Sequence, residues 1–168
     1  MSDETGVVSV SRRIEAPAEQ IFALLADPGR HTELDGSQML RGAAGSKPVT
    51  GVGDRFVMNM FFDGMGGDYA MDNHVVEFEP NRRIAWTPSA ADDRVTRNAG
   101  GEIGVPAGHK WSFDLEPDGP GATVVTETYD CTAADDALRQ AVQQGEIWRG
   151  AITGTLERLE QVCTGVST

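Results

Sequence analysis

The hydrophobic period of this sequence changes once, and that change fixes the class of fold. Up to Tyr129 the chain is a series of segments in which apolar and polar residues alternate. Beyond Ala133 the apolar residues recur at helical spacing instead, at Ala134, Leu138, Ala141, Val142, Trp148, Ile152, Leu156, Leu159 and Val162. Alternation marks strands with one buried face, and the helical period marks one long amphipathic helix running to about Val162. A block of strands followed by a helix, rather than strands interleaved with helices, predicts an α+β architecture.

The alternating segments are residues 7–15, 38–42, 54–62, 69–78, 83–87, 109–116 and 123–129. Short turn signals at Gly64–Gly67, Glu79–Asn81 and Pro117–Gly121 separate several of them, so the sheet should be mostly antiparallel. Between the first two segments, Pro17 opens a short helix to Ala26 with Ile21, Phe22, Leu24 and Leu25 on its apolar stripe, and residues 30–34 suggest a second. Residues 88–108, with Gly100, Gly101, Gly104 and Pro106, form a connection longer than a passive turn, which reads as a lid.

Thr132 and Asp135 resemble a capping arrangement at the start of the long helix. Gly145, Gly150 and Gly154 within it predict either a bend or something packed close against it. Cys131 and Cys163 flank the helix and would stand about 40 Å apart if it is straight, at about 1.5 Å rise per residue, too far for a disulfide.

The chain has 168 residues, the size of one domain, and residues 1–168 are taken as one, with 1–6 and 163–168 expected to be flexible. Lys and Arg number 14 against 26 Asp and Glu, and the net charge of −12 disfavours nucleic acid and anionic membrane surfaces as partners. The longest apolar run, Ile21–Ala26, is far short of the roughly 18 residues that cross a bilayer. The acidic start, Met1–Thr5, lacks the basic and apolar regions of a secretory signal, so the expected location is cytoplasmic. His31 and Glu33 match half of a zinc-deaminase motif, but the required cysteine pair is missing. No nucleophile elbow, P-loop or dinucleotide fingerprint occurs, and no metal or other cofactor is expected.

Four segments carry a family likeness: Ile14–Asp27, Val75–Trp86, Gly108–Pro117 and Thr126–Asp130. In combination they resemble the START-like (SRPBCC) superfamily, in particular its polyketide cyclase/dehydrase-like branch, across nearly all of residues 7–162. The resemblance implies a helix-grip fold: a curved antiparallel sheet wrapped around a long C-terminal helix, with two short helices after the first strand and a hydrophobic-ligand cavity between sheet and helix. It does not imply one function, since the superfamily includes carriers, cyclases, hydroxylase subunits, receptors and chaperone co-activators. The iron–sulfur ligands of the hydroxylase subunits have no counterpart here.

Candidate site residues follow from strand parity and chemistry. Phe56, Met58, Met60 and Phe62 share one strand face, and His109, Trp111, Phe113 and Leu115 share another; both should point inward. Met58, Met60, Met65 and Met71 suit a pliable cavity as well as an ordinary core. Asn73 shares its face with Tyr69 and Met71, and Glu127 lies between Val125 and Tyr129. An inward Glu127 would be desolvated and suited to acid–base work; a one-residue shift of register would leave it solvated. The expected ligand-binding set is Met58, Met60, Phe62, Tyr69, Met71, Asn73, Trp86, His109, Trp111, Phe113, Glu127, Tyr129, Trp148 and Ile152, with His109 and Glu127 as catalytic candidates. His31, Asp35 and Ser37 are expected at the cavity rim. There His31 and Asp35, four apart, would form a His–carboxylate pair or, with another ligand, a metal site; helix capping and surface charge are the plainer alternative.

The leading expectation is a monomeric or homodimeric protein that binds a small hydrophobic molecule. The alternatives are a cyclase, aromatase or dehydratase that uses a cavity acid–base group, and an interaction module that uses its acidic surface.

Overall fold

The structure, a computed structural model, describes residues 5–45 and 47–165. Of the termini expected to be flexible, residues 1–4 and 166–168 lie outside the described residues. Strand β1 (Val7–Ile14) is followed by helix α1 (Ala18–Leu25) and, after a 3-10 turn, the single-turn helix α2 (His31–Leu34). Strands β2 (Leu40–Ala44), β3 (Arg55–Phe62), β4 (Gly67–Glu79) and β5 (Arg83–Ala90) come next. Helix α3 (Asp93–Ala99) interrupts them before β6 (Lys110–Pro117) and β7 (Thr123–Asp130), and α4 (Asp136–Ala141) and α5 (Arg149–Thr164) end the chain. The strands form one curved, fully antiparallel sheet of seven, ordered β1-β7-β6-β5-β4-β3-β2. Sheet and C-terminal helix have the helix-grip arrangement that the family likeness implies.

Alternation along the strands sorts the two faces. On β1 and β7 the outer face carries hydroxyl pairs, Ser9 with Thr128 and Ser11 with Thr126, each at 2.7 Å. The inner face carries Val8, Ile14, Val125 and Tyr129, all buried. A bulge between Val75 and Glu77 in β4 shifts the register so that Val75 opposes Trp86 while Phe78 opposes Ile84. The extra residue keeps Phe78 on the inner side, edge-on to Phe22 of α1 at 5.3 Å. Ile152, Leu156 and Leu159 of α5 close the core.

Three features differ from the sequence expectation. The expected lid is not a plain loop: β5 continues to Ala90, and Asp92 then caps α3 by accepting from the amides of Arg94 and Val95. The C-terminal helix is not continuous from Ala133. Gln144 (φ 58°) and Gly145 (φ 94°) take left-handed backbone after α4, and the long helix proper is α5. The start of α4, not that of α5, is capped by Asp135, which accepts from Leu138 N at 2.8 Å, while Thr132 binds the Asp130 carboxylate instead.

The helical glycines divide by role. Gly145 supplies the bend, and a Cβ there would strike Tyr129 and Val8. Gly154 packs on Gly36, whose own Cβ would lie 2.3 Å from the Ala151 carbonyl, so the turn after α2 rests directly on the backbone of α5. Gly150 faces open space. Cys131 and Cys163 are both free.

Candidate functional site

Register places Glu127 on the concave face, between Val10 of β1 and Phe113 of β6. It is only 5% exposed, and its Oε1 has no hydrogen-bond partner. Burial pushes its carboxyl well above the usual range, and the nearby charge of Asp35 pushes in the same direction, so the group is held protonated. The inward alternative for Glu127 is the one the structure adopts.

Aromatic rings continue this wall. Tyr129 packs against Trp111 at 4.7 Å and Trp148 at 6.2 Å between ring centroids. Its hydroxyl is bonded to His109 Nδ1. Burial lowers the His109 pKa, which leaves a neutral imidazole, and raises that of Tyr129. The Trp148 indole N–H, close enough to temper the Tyr129 shift, falls short of hydrogen-bond geometry and is buried without a partner. Gly108, with φ 107°, fixes the approach to His109 because a Cβ there would meet the backbone of Ala134 at 2.4 Å. Deeper in, Trp86 touches Phe56, Phe113 and His31 with centroid separations of 5.4, 5.9 and 5.5 Å.

His31 is therefore not a rim residue. It is 8% exposed, stacked on Trp86, and its Nε2 donates to the Leu25 carbonyl at 2.8 Å. Burial lowers its pKa, so it is a neutral core histidine. Of the two alternatives for His31 and Asp35, the pair does not form, because the Asp35 carboxylate turns to the chain that follows it. It accepts from Ser37 N (2.8 Å), Ser37 Oγ (2.6 Å) and Leu40 N (2.9 Å). Asn73 is buried and donates to backbone carbonyls of Phe56 and Met71. Phe62 shares the expected face but stands at the strand end, 46% exposed, so it lines nothing internal.

Met58 is buried in the sheet, and Ile152 belongs to the main core. Met60 and Met71 join Met39 and Met65 around Tyr69, Ala90 and Val95 in a smaller cluster beneath α3. Burial, with the Asp35 charge behind it, pushes the Tyr69 phenol up to about 12.

Two grooves open at the margins of this interior. One, of about 370 Å³, is lined by Thr87, Pro106, Gly108, His109, Lys110 and Asp130, and leads to the His109–Tyr129 pair. The other, of about 480 Å³, lies between α3 and the β3–β4 hairpin and includes Arg41, Arg94, Arg97, Asp68 and Tyr69. Sequence reasoning missed the second groove because it depends on α3. It also missed a polar cluster in which His74 Nε2 donates to Ser89 Oγ at 2.8 Å and that hydroxyl donates to the Asp72 carbonyl. Ser89 is 1% exposed with its proton committed, which is structural rather than nucleophilic. Among the described residues no group of three or more His, Cys, Asp or Glu is arranged to hold a metal ion, and no helix is long and apolar enough to cross a membrane.

The comparisons with known proteins agree with this architecture. An uncharacterized Mycobacterium tuberculosis protein, Rv0088, is 35% identical over 129 residues, which are 77% of this chain and 49% of the relative. The chain thus spans about half the length of the curated relatives it matches. Among solved structures, CV1439 from Chromobacterium violaceum superposes with a TM-score of 0.67 at 19% identity, covering 94% of this chain and 96% of that one. NE0264 from Nitrosomonas europaea gives 0.68 at 14% identity, covering 98% and 99%. These likenesses show the fold. The family model for polyketide cyclase/dehydrase and lipid transport proteins matches residues 5–164, and the chain, with its grip of sheet around helix, belongs to that family.

Proposed function

We propose that this protein binds a small hydrophobic molecule between the concave face of the sheet and the C-terminal helix. The observation that carries the reading is Glu127. A carboxyl buried among aromatic and aliphatic side chains with an unpartnered oxygen costs stability, roughly 1–3 kcal/mol, unless something else satisfies it. A ligand that enters past His109 supplies both the apolar contact and the missing partner. The binding set is Met58, Tyr69, Met71, Trp86, Trp111, Phe113, Glu127, Tyr129 and Trp148, with the α3 segment covering one side.

Native mass spectrometry of the purified protein, followed by solvent extraction, tests this reading. A stoichiometric apolar species supports it. An empty protein that takes up no member of a panel of fatty acids, polyketide-like aromatics and steroids overturns it.

A second reading, an enzyme of the cyclase or dehydratase type, is favoured by the same buried carboxyl, whose upward shift suits it to the role of a general acid. Glu127→Gln discriminates between the two. A binding protein changes affinity alone, whereas an enzyme that uses Glu127 as its acid loses turnover by about 10² or more.

A further inference from the structure

We propose that the interior site selects a neutral ligand through a hydrogen-bond-accepting oxygen of ketone, ester or amide type, that Glu127 and Trp148 are the donors that read this oxygen, and that carboxylate and ammonium ligands are rejected. The inference rests on the interior-binding reading and adds the polarity of the ligand.

Two buried polar atoms on this wall lack partners, and both belong to groups that donate. An indole N–H has no acceptor capacity, and Trp148 Nε1 is buried and unpartnered. The Tyr129 hydroxyl beside it is bonded to His109 and lies outside hydrogen-bond geometry of the indole. A carboxyl held protonated presents one O–H, and Glu127 is buried with Oε1 unserved. Glu127 and Tyr129 are alternate residues on one face of β7, so their side chains stand about 7 Å apart, and Trp148 packs on Tyr129 and Trp111. The two donors therefore flank the same aromatic surface.

The surrounding charge completes the argument. Among the described residues no lysine or arginine pairs with Glu127, and the nearby Asp35 carboxylate, which accepts three hydrogen bonds, is negative. A carboxylate ligand would meet that charge with no cation to offset it. An ammonium would be drawn to that charge, but it has no lone pair to offer and would leave both donors unanswered. A carbonyl oxygen has two lone pairs and no charge to desolvate, and it can accept from either donor.

Four naphthalenes substituted at the same ring position test this by titration calorimetry and tryptophan quenching: acetylnaphthalene, ethylnaphthalene, naphthoate and naphthylmethylammonium. Acetylnaphthalene should bind about tenfold or more tighter than ethylnaphthalene, and both ions more weakly still. Glu127→Gln, which keeps an N–H donor of similar size, should preserve the preference. Glu127→Leu and Trp148→Phe should each shrink it to about threefold or less while ethylnaphthalene still binds. Naphthoate or the ammonium binding as tightly as acetylnaphthalene overturns the inference and leaves interior binding standing. Failure of all four probes overturns interior binding itself, and the inference with it.

Discussion

The turn after α2 and strand β7 both bring carboxyl groups to the inner side of the sheet, yet they leave them in opposite conditions. In the turn, every oxygen of Asp35 is occupied, by Ser37 and Leu40, and Gly36 N donates to Thr155 Oγ1 at 3.0 Å. On β7, Glu127 is buried deeper and has an oxygen with no partner. Satisfied polar groups specify a local shape, and unsatisfied ones store a cost that only an added partner removes. The turn is therefore read as architecture and the strand as a site.

The largest effect belongs to the turn. Gly36→Ala places a methyl 2.3 Å from the Ala151 carbonyl and 2.4 Å from the Thr155 amide, both backbone atoms that cannot rotate away. Either α5 or the turn must shift, and a loss of about 3 kcal/mol or more in urea unfolding is expected. A loss below about 1 kcal/mol would show that the turn does not clamp the helix.

Asp35→Asn is milder. The amide keeps one acceptor oxygen but replaces the other with a donor that faces the Leu40 amide or the Ser37 pair. A cost of about 1–2 kcal/mol should follow, with ligand affinity changed little. A large loss of binding at unchanged stability would move Asp35 from architecture to site.

What the sequence made legible follows the reach of each signal. Alternation and turn residues are local, and they located the seven strands to within a few residues. The bulge at Val76 and the kink at Gln143–Gly145 are local too, but apolar spacing resumes beyond each, at Phe78 and Trp148, and so conceals the break. Helix α3 has a single buried residue, Val95, too little to raise an amphipathic pattern ahead of Gly100 and Gly101. The side on which Glu127 falls depends on pairing with β1 and β6, far away in sequence. The burial of His31 depends on Trp86 of β5, and nothing in the order of residues around His31 distinguishes a core imidazole from one at a rim.

Glu127 gives the pH-dependent member of the contrast. Its folded pKa lies well above the ordinary value of 4.5, so its stabilising protonation is complete below that value and is lost as pH rises through the folded pKa. Each unit of separation is worth about 1.4 kcal/mol. Unfolding of the wild type between pH 5 and about 8 should therefore show stability falling relative to Glu127→Gln, which carries no proton to lose. Carboxylates with depressed values, such as Glu77, held at about 2 by Arg83 and Lys110, slope the other way and cancel between the two proteins. Parallel curves would mean that the Glu127 carboxyl is solvated in the folded state.

The smallest effect tests the outer limit of the site. Phe62 has the same parity as Met58 and Met60, and parity alone would assign it to the interior. It is 46% exposed because β3 ends there, at the 3-10 turn of Asp63–Met65, beyond the reach of α5. A ring this exposed at a strand end loses little buried area on truncation, so Phe62→Ala should change stability by about 0.5 kcal/mol or less. Affinity for any interior ligand should stay within about twofold by the same calorimetry. A tenfold loss would mean that the ligand extends out of the sheet past the β3–β4 hairpin, so that the site continues into the groove beside α3, and the satisfied and unsatisfied regions would then be two walls of one cavity.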